Sequence, residues 1–155
     1  MRSGRRLAVD VGKVRVGLAI SDFHAILASG LATVARAESA EQTAKDILAA
    51  LAGEEVIEIY VGLPLNMSGG ETASTADAIS IAKALAALSP VEVRMIDERL
   101  TTVAATAALQ SSGKNSKQSR PIIDQVAATV ILEQAMELEK SSGGKPGKSL
   151  EQIDD

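Results

Sequence analysis

The chain has no cysteine and a single histidine, His24, among its 155 residues. Disulfide staples, Cys-ligated zinc and iron–sulfur clusters are therefore excluded, and so is a histidine-rich metal site. Any metal held by side chains sits on oxygen, which restricts the choice to hard cations such as magnesium, manganese and calcium. Aromatics are almost absent, Phe23 and Tyr60 being the only ones. That disfavours a sugar cleft lined by aromatic platforms, although a glycosidase would also use paired carboxylates. Stacking of nucleic-acid bases on aromatic rings is scarcely available either. No run of about 18 apolar residues occurs. The basic start Met1-Arg2-Ser3-Gly4-Arg5-Arg6 leads into a strand-like segment and not into a signal-peptide core. These absences predict a cytoplasmic protein with no membrane partner.

The formal charge of −4 argues mildly against a nucleic-acid binder, whose surface is ordinarily basic. The distribution argues the other way. Arg2, Arg5, Arg6, Lys13 and Arg15 crowd the first 22 residues, and Lys114, Lys117 and Arg120 crowd one later loop. Such clusters are either solvated faces or phosphate contacts, and composition does not choose between them.

The length fits one domain. Alternation around Leu7, Val9 and Val11, then around Val14, Val16, Leu18 and Ile20, with Gly12-Lys13 between, predicts a hairpin. A third strand is expected at 31–35. Ser39-x-x-Gln42 has the form of a capping box and should open a helix that Gly53 ends. The β-branched run 56–61 predicts a central strand, 74–88 a helix, and 91–96 a further strand after the Ser89-Pro90 break. A short Ala-rich helix is expected at 102–110. A long one should open at Pro121, with Ile123, Val126, Ala127, Val130, Ile131, Ala135 and Leu138 as its core stripe. From Ser141 the Gly/Lys/Pro/Ser-rich stretch predicts a flexible tail, so residues 1–140 form the domain and 141–155 the tail. The element order predicts an α/β fold whose mixed sheet has three antiparallel strands, then two parallel ones, with helices on both faces.

Three acidic positions carry the chemistry. Asp10 interrupts an apolar strand, where an ionised carboxylate needs hydrogen bonds, a cation or a proton. As an isolated residue it could simply cap the Gly12-Lys13 turn. Asp97-Glu98 ends another apolar strand, and neighbours on a strand point oppositely, so one of the two should face a site while the other pairs with a basic group. Asp124 lies in the first turn expected for the last helix, where the helix dipole alone would favour it. Ala127 and Ala128 would let that helix lie close to the sheet and bring Asp124 toward the first strand. Converging carboxylates of this kind hold the paired cations used in phosphodiester hydrolysis. Gly17 permits a close approach or marks a strand bulge, and Arg15 beside it could touch phosphate. Gly12 to Gly17 is neither a P-loop nor a dinucleotide fingerprint, since the Lys-Ser/Thr and the glycine spacing are both wrong.

Four segments taken together resemble the YqgF/RuvX family of Holliday-junction-resolvase-like nucleases. They are Asp10-Val11-Gly12-Lys13-Val14-Arg15-Val16-Gly17-Leu18-Ala19, Val61-Gly62-Leu63-Pro64-Leu65-Asn66, Asp97-Glu98-Arg99-Leu100-Thr101-Thr102 and Ile123-Asp124-Gln125-Val126-Ala127-Ala128. The resemblance implies an RNase H-like fold in which Asp10, Glu98 and Asp124 bind magnesium or manganese. It further implies maturation of the 5′ end of precursor 16S ribosomal RNA, with resolution of branched DNA junctions as the alternative. By the same resemblance Arg15, Arg99, Thr101, Lys114 and Lys117 are candidates to position the substrate backbone. Lys13 departs from the small polar residue seen in many relatives. Two other classes stay in view: a non-catalytic RNA or ribosome-assembly module, and a phosphotransferase of the actin and sugar-kinase architecture, for which the chain is short. A monomer would serve to trim one RNA end, whereas symmetric cutting of a junction would need a homodimer.

Overall fold

The computed structural model describes residues 1–99 and 116–154, with side chains in the second segment from 124 to 153. The expected hairpin is present as β1 (Arg6–Val11) and β2 (Arg15–Ser21), followed by β3 (Ala28–Ala35). The order continues with α1 (Ala40–Ala50), β4 (Glu58–Leu63), α2 (Ala73–Leu88), β5 (Glu92–Asp97), α3 (Ser116–Ser142), β6 (Lys148–Ser149) and α4 (Leu150–Asp154). The sheet order is β3-β2-β1-β4-β5-β6. β1, β2 and β3 pair antiparallel, β1, β4 and β5 pair parallel, and β6 closes the β5 edge antiparallel. The mixed α/β sheet read from the sequence is observed, with β6 added at its edge.

Local chemistry accounts for the element ends. Ser39 caps α1 by accepting from Gln42 N at 3.0 Å. The Gln42 side chain does not return the bond but donates to Asp46 Oδ1, so the box is half formed. The reciprocal box belongs to α2, where Thr72 and Thr75 exchange side-chain and backbone hydrogen bonds. Val56 and Ile57 stay outside β4, which begins at Glu58, and Ile57 N donates to Arg5 O. The expected helix at 102–110 lies outside the described residues.

The sheet has two different faces. Leu7, Val9, Val16, Leu18, Ile59, Val61, Val93 and Met95 are bulky and pack against Ala44 and Ile47 of α1 and Ile81 and Leu85 of α2. The opposite face offers Ala8 and Ala19 at its centre, with Tyr60 and Ile96 beside them, and receives Ala128, Ile131, Leu132, Ala135 and Met136 of α3. Small residues on both partners let helix and sheet approach closely. A β-carbon added at Gly17 would overlap the Asp124 carbonyl, and one at Gly30 would meet Gln125 Oε1 at 2.6 Å. Gly17 therefore serves close approach, while the irregularity in β2–β3 pairing falls one position later, between Leu18 and Ala19.

Three expectations are corrected. α3 begins at Ser116 and runs through Pro121, where the sequence placed its start. Its buried stripe is Ala128, Ile131, Leu132, Ala135, Met136 and Glu139, so Ile131 and Ala135 are buried as expected, while Val126, Ala127 and Val130 are half-buried and Leu138 is exposed. The stripe is turned because its last position is a carboxylate taken by arginines: Glu139 Oε2 accepts from Arg6 Nη2 at 3.0 Å, and Glu139 Oε1 accepts from Arg2 Nη2 at 2.5 Å. Finally, the segment after Ser141 is not a free tail. Arg94 donates to the carbonyls of Pro146 and Gly147, Lys145 pairs with Glu92 at 2.7 Å, and Leu150 and Ile153 pack against the core. The edge of β5 supplies partners that composition alone did not reveal.

Candidate active site

Strand periodicity decides which acids meet. Ala8 lies on the α3 face, so Asp10, two residues on in β1, lies there too. Asp10 stands opposite Gly17 in the β1–β2 ladder, and Gly17 is where α3 comes closest. Ile96 lies on the same face, so Glu98 follows it, whereas Asp97 follows Met95 to the other side. Glu98 N extends the β4–β5 ladder by donating to Leu63 O at 3.1 Å, which fixes its backbone. Its carboxylate lies across Gly62, where any β-carbon would collide with Glu98 Oε1. Gly62 is a site residue that the sequence reading passed over. Its signal was a glycine next to the end of a fully buried strand.

The carboxyl groups of Asp10 and Glu98 are hydrogen-bonded to each other. Burial, then the hydrogen bond and charge of Asp10, push Glu98 up to about 9, so the pair carries a proton at neutral pH. Asp10 is also raised, first by burial and then by the negative charge of Asp124, and its bond to Glu98 opposes this. Asp124 is raised by burial against the opposing pull of Arg15, whose Nε lies 3.2 Å from Asp124 Oδ2. Asp10 and Glu98 thus touch, while the third acid is near enough for its charge to be felt yet is turned to a cationic partner. Among the described residues, no three His, Asp or Glu side chains are already gathered into a metal cage.

Asp97 pairs with Arg99, which contacts it through Nε and Nη2 and through its backbone N–H. This is the division of labour expected for the Asp97-Glu98 dipeptide. Arg99 is partly exposed and, with Met67, Asp97 and Gln134, lines a cavity of about 370 Å³. Met67 sits at the tip of a loop folded around Asn66, whose Oδ1 accepts from Ser68 N and Gly70 N. Of the other substrate-binding candidates, Thr101 and Lys114 lie outside the described residues, and Lys117 is in the first turn of α3 with its side chain outside them. Arg6, counted in the basic N-terminal cluster, is fully buried and engaged with Glu139, so it is no phosphate contact.

Arg36 was also missed. Its Nη1 donates to Gly12 O at 2.9 Å, and its two terminal nitrogens grip Asp77 of α2 at 2.7 and 3.0 Å. The turn that follows Asp10 is thereby tied to a helix on the opposite face.

A sheet with three antiparallel strands, two parallel ones and acids at the strand ends beneath the long helix α3 defines the RNase H-like class. The solved structure of Thermus thermophilus RuvC in complex with Holliday junction substrate superposes on it with a TM-score of 0.57 at 17% identity, covering 92% of this chain and 98% of that one. A second T. thermophilus RuvC structure gives 0.54. Residues 4–138 match the family described as RuvX: Holliday junction resolvase, and the chain belongs to that family. A protein of Leifsonia xyli subsp. xyli named "Putative pre-16S rRNA nuclease" is 50% identical over 97% of both chains. One of Streptomyces coelicolor bearing the same name is 44% identical over 99% of this chain and 92% of its own. Family and fold together make the chain a nuclease, a hydrolase acting on nucleic acid. Among the described residues no helix is long and apolar enough to cross a membrane.

Proposed function

We propose that the chain is a cytoplasmic, metal-dependent endonuclease that trims the 5′ end of precursor 16S ribosomal RNA, with Asp10, Glu98 and Asp124 as ligands for magnesium or manganese. The observation that carries this reading is the Asp10–Glu98 contact: two half-buried carboxyl groups in hydrogen-bonding contact, with a third acid's charge close by. Such a cluster is costly in isolation, and a divalent cation relieves its repulsion better than one proton does. The donor set is all oxygen, which suits these hard cations. Asp124 completes it by turning away from Arg15.

The chemistry supplied by bound divalent cations is Lewis-acid activation of water and relief of charge on the leaving oxygen. The chain's own residues do the rest. β1 and β5 fix the backbones of Asp10 and Glu98, and α3, seated on Gly17, fixes that of Asp124. Arg99 at the rim offers a phosphate contact, as does Arg15, and Thr101, Lys114 and Lys117 are assigned to the substrate backbone by the family resemblance. The names of the relatives support the ribosomal precursor as substrate. The family description favours a second reading, cleavage of four-way DNA junctions.

The test compares a structured precursor RNA, a single-stranded RNA and a four-way DNA junction at one fixed salt concentration with magnesium, for the wild type and Asp10→Asn. The expected result is preferential cutting of the precursor, reduced roughly a hundredfold or more in the variant. Equal activity in both proteins would remove the metal-site assignment. Preferential cutting of the junction would move the substrate to DNA.

A further inference from the structure

Resting on the metal-site reading above, we propose that Arg15 is a positioning residue with two exclusive partners. It holds the Asp124 carboxylate while no cation is bound, and passes to a substrate phosphate once Asp124 turns to the cation.

The geometry separates what can move from what cannot. The Arg15 backbone is fixed, because its carbonyl accepts from Gly12 N at 2.9 Å and closes the turn that follows Asp10. The Asp124 backbone is equally fixed, since its carbonyl rests where a β-carbon of residue 17 would be. Rearrangement at this contact therefore falls to the two side chains. They are joined by one hydrogen bond, Nε to Oδ2 at 3.2 Å, and are partly exposed, at 31% and 20%. Among the described residues Arg15 makes no other side-chain hydrogen bond, so its Nη1 and Nη2 donors are uncommitted. A guanidinium held by one edge keeps a fork of N–H groups to offer, and that fork matches phosphate oxygens. A single, partly hydrated ion pair is also weak enough to exchange.

Asp124 cannot serve a cation fully while neutralised by Arg15, and Arg15 cannot grip phosphate fully while it neutralises Asp124. Metal and nucleic acid then reinforce each other's binding through this residue, and linkage requires the effect to be reciprocal. The contrasting possibility is a permanent tie between β2 and α3, which would show no such coupling.

The experiment uses the full-length chain as wild type, Arg15→Gln and Arg15→Lys. Manganese affinity is measured calorimetrically without RNA, and RNA affinity is measured at fixed salt in EDTA and in calcium. Arg15→Gln should bind manganese roughly two- to fivefold more tightly than wild type, the scale of a partly exposed ion pair. It should lose RNA affinity in calcium but not in EDTA. Arg15→Lys keeps the charge with a different reach. It should shift manganese affinity the same way by less, and it carries the test if Arg15→Gln does not fold. Unchanged or weakened manganese binding would overturn the exchange, as would an equal loss of RNA affinity in both media. Asp10→Asn, run alongside, separates the two ideas. If it abolishes manganese binding while Arg15→Gln leaves that binding unchanged, the metal site stands and the exchange fails. If it leaves manganese binding intact, the metal-site reading itself has failed.

Discussion

Asp10 and Glu98 sit at the ends of two strands separated by β4, and their carboxyl groups meet across the bare backbone of Gly62. The meeting depends on a missing side chain as much as on the two acids.

That contact has a pH signature. Glu98 is raised from 4.5 to about 9 in the folded chain, so the native state holds a proton that the unfolded chain has released between those values. Stability of the metal-free protein should therefore fall as pH rises through this window. Urea unfolding at pH 5, 7 and 8.5 in EDTA would show the decline, and Glu98→Gln should flatten it. Manganese affinity should climb with pH over the same range, because the cation displaces the proton.

Gly17→Ala should be disproportionately harmful for one methyl group. The new β-carbon has no room beside the Asp124 carbonyl, so α3 must lift from the sheet. The expected cost is about 1–3 kcal/mol, the usual range for overpacking. Activity should fall further than stability, since Asp124 moves with the helix, and denaturant midpoints measured beside cleavage rates would separate the two.

Arg36→Ala should loosen the Asp10 turn without touching Asp10, Glu98 or Asp124. The lost contacts are charge-assisted, to Gly12 O and to both Asp77 oxygens, and partly buried. A cost of about 1–3 kcal/mol is expected. A crystal structure or amide-exchange rates at residues 11–14 would report the released turn, and wild-type exchange there would refute the tie.

Glu139→Leu should cost about 3–5 kcal/mol, because it strands the fully buried Arg6 guanidinium. Replacing Arg6 by Met in the same chain should recover part of that loss, which thermal unfolding of the single and double variants would measure.

Much of this architecture was legible in the chain. The hairpin, the two later strands and α1 followed from period-2 and period-3.6 patterns because these segments bury one face or both. The candidate acids were legible as carboxylates that interrupt or end apolar runs. The choice between Asp97 and Glu98 was not, since it depends on the parallel register of β5 against β4, a pairing between distant segments. Arg6 was misread for a related reason. A charge on a helix or near a terminus looks solvated until its partner, 133 positions away, is known. β6 was hidden because its pairing partner is the β5 edge and Arg94 holds the residues just before it, while its own residues are ordinary loop formers.

The ionic cluster of Arg2, Arg6, Glu58 and Glu139 lies at the end of α3 remote from Asp124. One rod is thus clamped near its tail by charge and rests, at Asp124, on a glycine. Anything pulling on the first residues, which share that clamp, is transmitted as tilt to the acid at the other end. The first residues of the chain and the Asp124 carboxylate thus hang on a single lever.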